Sequence, residues 1–258
     1  GGLYGSYESS VDVNDCIIWG NLSTFDGSQI AVGSGDLPYP LPATVNVTHS
    51  CIEPDVNDPN AIGVSSLDLV FAIDSTASMG LDIDALKAAA VQIVGLVGSS
   101  MPDYRIAVVD YRDFNEPNTT YGAPGDYPYR TDAPFTRDPA AVIAGLNPIV
   151  AGGGADLEES VYAGLMHCID HGALAAALGG NLYGADPASL GPGPWRTGDV
   201  SRVIILMGDA PPHDPEPFTG YTHNTIVAAA TAFPAPKRIF TIPVRGYPAT
   251  VASFSALA

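Results

Sequence analysis

Three short segments of this 258-residue chain carry oxygen-rich chemistry. The first is Asp74-Ser75-Thr76-Ala77-Ser78-Met79-Gly80, which follows a continuous apolar run from Leu69 to Ile73. A carboxylate with hydroxyls two and four residues later offers three hard oxygen donors on one turn, a set suited to Mg²⁺ or Ca²⁺ and poorly suited to soft metals. The same residues also fit plain helix capping, with Asp74 and Ser75 closing the start of a helix near Leu81. The second segment, Gly152-Gly153-Gly154-Ala155-Asp156-Leu157-Glu158-Glu159-Ser160, opens a helix with acids in its first turn. The helix macrodipole favours such acids by itself, at about 0.3–1 kcal/mol each. The third, Met207-Gly208-Asp209-Ala210-Pro211-Pro212-His213, puts a carboxylate directly after another apolar run.

What brings these segments together is the element pattern expected around them. Leu69 to Ile73, Tyr104 to Val109, Arg202 to Met207 and Arg238 to Val244 read as strands. Ile83, Leu86, Ala90, Ile93, Val94 and Val97 recur at helical spacing, as do Val161, Leu165, Cys168 and Ile169. Apolar strands without alternation, interleaved with amphipathic helices, predict a doubly wound α/β domain with a mainly parallel sheet covered on both faces. Ligands of such sheets bind beyond the carboxyl ends of the strands, where Asp74 and Asp209 fall. Asp110 and Asp113 end the second strand; they either orient bound water behind the ligands or belong to a solvated loop paired with Arg112. The Gly-, Pro- and Ala-rich stretch 172–200 reads as a long inserted loop with at most one turn of helix, and the last residues as the first turns of another helix.

On these residues, 66–258 resembles the von Willebrand factor type A domain with its metal-ion-dependent adhesion site. Asp74, Thr76 and Ser78 match the family's Asp-x-Ser-x-Ser motif, with Thr in place of the first Ser. Gly153, Gly154, Asp156 and Glu159 resemble the second loop of many bacterial members, and Asp209 to His213 their Asp-Ala-Pro-Pro-His loop. The resemblance implies a metal shell of Asp74, Thr76 and Ser78, completed by Asp156 and Asp209 directly or through water. The best-known members supply a Thr hydroxyl from the second loop; this chain has no hydroxyl there before Ser160, and Asp156 is the expected substitute.

Residues 1–64 differ in kind. They contain no Lys or Arg and no helical periodicity, only short β-branched runs between Gly, Asp, Asn and Ser. Asp15 to Asn21, Asp26 to Ile30 and Val47 to Glu53 resemble the last coils of secreted right-handed parallel β-helices. A lone coil cannot bury its inward face without neighbours, so the expectation is a terminal segment of a longer β-helix, in a chain that opens at Gly1 as a piece of something larger. Cys16 and Cys51 then read as core residues or as a bridge.

Composition narrows the function. Ten Lys plus Arg against 28 Asp plus Glu give a formal net charge of −18, which disfavours nucleic acid and anionic membranes. No run of some 18 apolar residues is expected, hence no membrane insertion. Catalytic patterns are absent: there is no Gly-x-Ser-x-Gly elbow to support Ser78, His213 and Asp209 as a triad, and no Gly-x-x-x-x-Gly-Lys phosphate loop. His213 and His223 with Asp214 and Glu216 read as surface polar residues rather than a transition-metal site. The reading is a non-catalytic, cation-dependent adhesion module of an extracellular or surface protein, holding one Mg²⁺ or Ca²⁺ and binding a protein or glycan through it. Two alternatives stand beside it: a structural segment stabilised by metal, or an accessory domain of a β-helix polysaccharide-active enzyme.

Overall fold

The computed structural model describes residues 66–258 in full and, before them, the backbone of six short strands. The chain divides into two compact units, Gly1–Ser65 and Ser66–Ala258. The first holds β1 (Leu3–Ser6), β2 (Ser10–Asn14), β3 (Ile17–Ile18), β4 (Ile30–Gly33), β5 (Thr44–Thr48) and β6 (Cys51–Ile52). They form three parallel pairs, β1 with β4, β2 with β5 and β3 with β6, with Leu3 opposite Ile30, Ser10 opposite Thr44 and Ile17 opposite Cys51. Cys16, Asp15, Asp26 and the side chain of Cys51 lie outside the described residues, and with them the question of a Cys16–Cys51 bridge.

The second unit is an α/β domain around a five-stranded, mainly parallel sheet. Its strands are β7 (Leu67–Asp74), β8 (Tyr104–Tyr111), β9 (Arg130–Thr136), β10 (Ser201–Gly208) and β11 (Arg238–Pro243), in the order β11-β10-β7-β8-β9. The helices are α1 (Ile83–Ser100), α2 (Pro139–Leu146), α3 (Val161–Ala177), α4 (His223–Thr231) and α5 (Pro248–Leu257). Every residue of β7 is buried, as a central strand covered on both faces requires. Successive residues of a strand point to opposite faces. Val70 and Ala72 join a core with residues of α3, α4 and α5, among them Leu165, Ile226 and Phe254. Leu69, Phe71 and Ile73 therefore face the other way, toward the side of α1 and α2.

Three features depart from the sequence expectation. β9 pairs antiparallel to β8, with register shifts between Ile106 and Val109. Its sequence, Arg-Thr-Asp-Ala-Pro-Phe-Thr, is polar and contains Pro134 because it is an edge strand, which escapes an apolar-run search. The helical part of the stretch 172–200 is not a turn inside an inserted loop but the end of α3, which runs through Ala177 after a break at Asp170, whose side chain accepts from Ala173 N at 3.0 Å. Finally, α1 is an 18-residue helix apolar enough by composition to cross a membrane, with hydropathy 1.3; in this fold Ile83, Leu86, Ala90, Val94 and Val97 are buried along one side of it.

At the amino-terminal end of the strands a buried ion cluster fastens the long segment after α3. Asp68, fully buried on β7, accepts from Arg105 Nε at 2.9 Å, Arg196 Nε at 2.8 Å and Arg196 N at 2.9 Å. Arg196 also donates to Leu67 O, and Arg202 to Arg196 O. Burial pushes the Asp68 carboxyl up, but its Arg105 and Arg196 partners outweigh that and hold it below its ordinary value of 3.8. Its contribution to stability is thus present above pH 3.8 and lost as pH falls through the lowered value. Asp68→Asn, which leaves two guanidinium groups short of their carboxylate, is expected to cost about 3 kcal/mol in urea unfolding at neutral pH. The difference from wild type should shrink on acidification below pH 3.8; a constant difference down to pH 2 would contradict this.

Candidate metal centre

All three oxygen-rich segments meet at the carboxyl edge of the sheet. Asp74, the last residue of β7, is fully buried, and its Oδ1 accepts from Thr76 N at 2.9 Å and Thr76 Oγ1 at 2.7 Å. Thr76 Oγ1 lies 3.1 Å from Ser78 Oγ, which donates to Asp209 Oδ1 at 2.7 Å. Asp74, Thr76, Ser78 and Asp209 therefore form one continuous chain of oxygens from the ends of the adjacent strands β7 and β10. Ser75 turns away: its hydroxyl donates to Asp110 Oδ2 at 2.6 Å and accepts from Arg112 Nε at 3.1 Å. The capping explanation for these residues fails, because neither the short 3₁₀ helix Ala77–Leu81 nor α1 has a side-chain cap.

The triple-glycine loop is laid onto the first loop by backbone contacts. Gly152 N donates to Ser75 O at 3.0 Å and Ala77 N to Gly153 O at 3.3 Å. Gly153 and Gly154 have φ of +76° and +70°, a region that favours glycine. Asp126 Oδ2 holds the loop from behind by accepting from Gly154 N at 2.8 Å and Ala123 N at 2.7 Å. A Cβ on Gly154 would stand 3.3 Å from Glu159 Oε1 and 3.4 Å from Thr76 Cβ, so the second loop sits directly over the first. Gly208 serves the same end on β10, where a Cβ would meet Tyr111 Oη at 2.8 Å and Asp74 Oδ2 at 3.0 Å.

From this loop the carboxyl brought against Asp74 and Thr76 is that of Glu159, which is 3 % exposed. Burial, followed by the charges of Asp74 and Asp113, pushes its pKa far above the ordinary value. Asp156 lies on the wall of the same cleft, which has a volume of about 400 Å³ and is also lined by Ser78, Glu159 and Asp209. His213 Nε2 is 3.7 Å from Asp156 Oδ1, and burial holds the His213 pKa below its ordinary value. Sequence reasoning matched Glu159 to the family loop without giving it a ligand role. Its local signal is slight: the acids expected in the first turn of a helix instead precede α3, whose first turn holds none, and Glu159 is bridged to Pro212 there.

Asp110 and Asp113 are fully buried, which overturns the solvated-loop reading, and Arg112 pairs with Asp126 at 3.7 Å instead. Asp110 accepts from Ser75, Tyr127 Oη and Arg130, so it braces the first loop. Asp113 Oδ1 accepts from Ser160 Oγ at 2.7 Å. His213, expected at the surface, is 9 % exposed. His223 is not beside it; its backbone N–H reaches Asp214.

The donor set fits a hard cation. Asp74 Oδ2, Asp209 Oδ2 and Glu159 Oε2 are buried without a hydrogen-bond partner, an arrangement that costs free energy unless a proton or cation compensates it. Burial raises the Asp74 carboxyl to about 7 against only partial relief from its Thr76 hydrogen bonds. Arg245 offers some compensation, with Nη1 at 3.6 Å from Asp209 Oδ2, but its Nη2 is committed to Asp82 at 2.6 Å and Ser78 O at 2.7 Å. Oxygen donors throughout, three of them carboxylates, match Mg²⁺ or Ca²⁺.

No protein-family description matches the sequence, and no curated protein matches it. Among solved structures the chain is similar to the vWF domain of the type V pili tip protein Mfa5 from Porphyromonas gingivalis, at 18% identity and a TM-score of 0.37 over 58% of this chain. The match spans 39% of that chain's length. The α/β class of residues 66–258 follows from the sheet itself.

The glycine loop gives a direct test of this assembly. A Cβ on Gly153 would fall 1.5 Å from Asp126 Oδ1, so Gly153→Ala must displace the Asp126 brace as well as strain φ. We expect faster hydrogen exchange at Gly154 N–H, and a stability loss of about 1–3 kcal/mol. Unchanged exchange at Gly154 would show that Asp126 does not position the loop.

Proposed function

We propose that residues 66–258 form a von Willebrand factor type A module that binds a protein or glycan partner through one Mg²⁺ or Ca²⁺ at a metal-ion-dependent adhesion site, with no catalysis. The observation that carries this reading is the continuous oxygen chain Asp74, Thr76, Ser78 and Asp209, with three buried carboxylate oxygens lacking partners. Asp74, Thr76, Ser78 and Asp209 hold the ion, Glu159 adds charge from the second loop, and Asp156 reaches it from the cleft wall through water. When bound, the cation supplies an electrophilic position facing the cleft that a partner's carboxylate or hydroxyl can occupy.

The surroundings favour docking over a purely structural ion. Leu157 and Tyr247, both lining the cleft, are 69% and 50% exposed. Apolar side chains beside a charged centre give a partner area to bury around its polar contact. Asp110, Arg112 and Asp126 fix the loops without entering the cleft, so the site is preorganised and little ordering free energy is lost on binding. An acidic chain of net charge −18 has most use for such a site where Ca²⁺ is abundant, and we place the protein outside the cell or at its surface. The parallel strand pairs within residues 1–64 fit the terminal coils of a β-helix.

Calorimetric titration of Mg²⁺, Ca²⁺ and Mn²⁺ into chelator-treated protein should give saturable binding that Asp74→Ala abolishes. The ion should also raise the melting temperature of wild type, by about 2.7 kcal/mol of added stability at 100 times Kd. Absence of binding to a demonstrably folded protein overturns the proposal. Within the second loop, Glu159→Gln is expected to weaken binding about tenfold or more, and Asp156→Ala less; the reverse order would make Asp156 the direct ligand.

A further inference from the structure

Beside the oxygen-lined centre lies a second group of different chemistry. His213 Nε2 stands 3.8 Å from Asp113 Oδ1 and 3.7 Å from Asp156 Oδ1, and one donor atom from each of the three residues lies within 4.8 Å of the others. Two of these groups are buried and unsatisfied. The His213 side chain is 10% exposed and its Nε2 has no hydrogen-bond partner. Asp113 is fully buried, and its Oδ2 likewise has none, while Oδ1 is held by Ser160. The imidazole is fixed in place: the His213 backbone N–H donates to Glu159 O at 3.3 Å, and Tyr121 packs edge-on against the ring at 5.2 Å.

From this geometry we infer that Asp113, Asp156 and His213 form a second, separate cation site selective for a borderline dication such as Zn²⁺. An imidazole nitrogen with two carboxylates suits Zn²⁺, whereas the neighbouring all-oxygen centre suits Mg²⁺ or Ca²⁺. Ligands about 2.1 Å from a tetrahedral ion stand about 3.4 Å apart, so the two separations from His213, 3.8 and 3.7 Å, need only a small contraction. Asp156, the most exposed of the three, supplies the side from which the ion enters and leaves. Glu159 feels the charges of both Asp74 and Asp113 and so adjoins both centres. The site shares Asp156 with the adhesion centre, where that residue acts only through water, and takes none of its ligands from the Asp74, Thr76, Ser78 and Asp209 chain, so it can be tested with that centre filled.

The test uses the full chain saturated with Ca²⁺, titrated with Zn²⁺ by calorimetry and with Co²⁺ by visible absorption. We expect one equivalent to bind in the presence of excess Ca²⁺, and the Nε2 signal of His213 to shift in nitrogen NMR. His213→Ala and Asp113→Asn should each weaken Zn²⁺ binding at least 100-fold with Ca²⁺ affinity unchanged. Asp74→Ala should do the converse, which separates failure of this site from failure of the other. His213→Gln, nearer in size, serves if the Ala variant melts early. No Zn²⁺ uptake by folded, Ca²⁺-saturated protein, or uptake unaffected by both His213 variants, overturns the inference.

Discussion

The carboxyl edge of this sheet is organised by unsatisfied negative charge. Asp74, Asp113, Glu159 and Asp209 are each at least nine-tenths buried and stand in mutual reach. Taking a carboxylate out of water costs several kcal/mol unless something compensates it, and like charges add to that cost. The hydrogen bonds from Thr76, Ser78 and Ser160 satisfy one oxygen of Asp74, Asp209 and Asp113. The second oxygen of each is left without a partner, and Asp209 lines the cleft. Such an arrangement persists only if the surrounding fold over-determines it, which is the usual condition of a binding site.

That over-determination comes from groups outside the oxygen chain. Asp110, Arg112 and Asp126 tie the ends of β7 and β8 to the glycine loop through Ser75, Val150 and Gly154. Each is a charged side chain that bonds backbone or hydroxyl groups and also pairs with an opposite charge, Asp110 with Arg130 and Arg112 with Asp126, so directional bonds hold the loops. Glycine at 153, 154 and 208 removes the Cβ atoms that would hold the layers apart.

The opposite end of the sheet uses charge differently. Around Asp68 the arginines outnumber the acids in direct contact, every strong donor has an acceptor, and the carboxyl is stabilised in its ionised form. One end of the strands therefore carries a neutralised, structural ion cluster, and the other an under-neutralised one.

Much of this was legible in the sequence. Unbroken apolar runs such as Leu69–Ile73 can be buried only in a covered parallel sheet, and in such a sheet the residues after the strands must share an edge. The fold class and the meeting of Asp74, Thr76, Ser78 and Asp209 follow from that. The antiparallel β9 gave no such signal, because an edge strand faces water and its residues obey turn and solvent preferences instead. The tertiary structure alone decided which acid of the second loop turns inward. In the sequence Asp156, Glu158 and Glu159 are equivalent as helix-start acids; in the structure all three precede α3, and Glu159 is bridged to Pro212, 53 residues away in numbering. The same is true of His213 and Asp113, 100 residues apart, whose burial beside each other no local pattern encodes. Periodicity reports which face of an element is buried; what it meets there is set by the packing of elements distant in the chain.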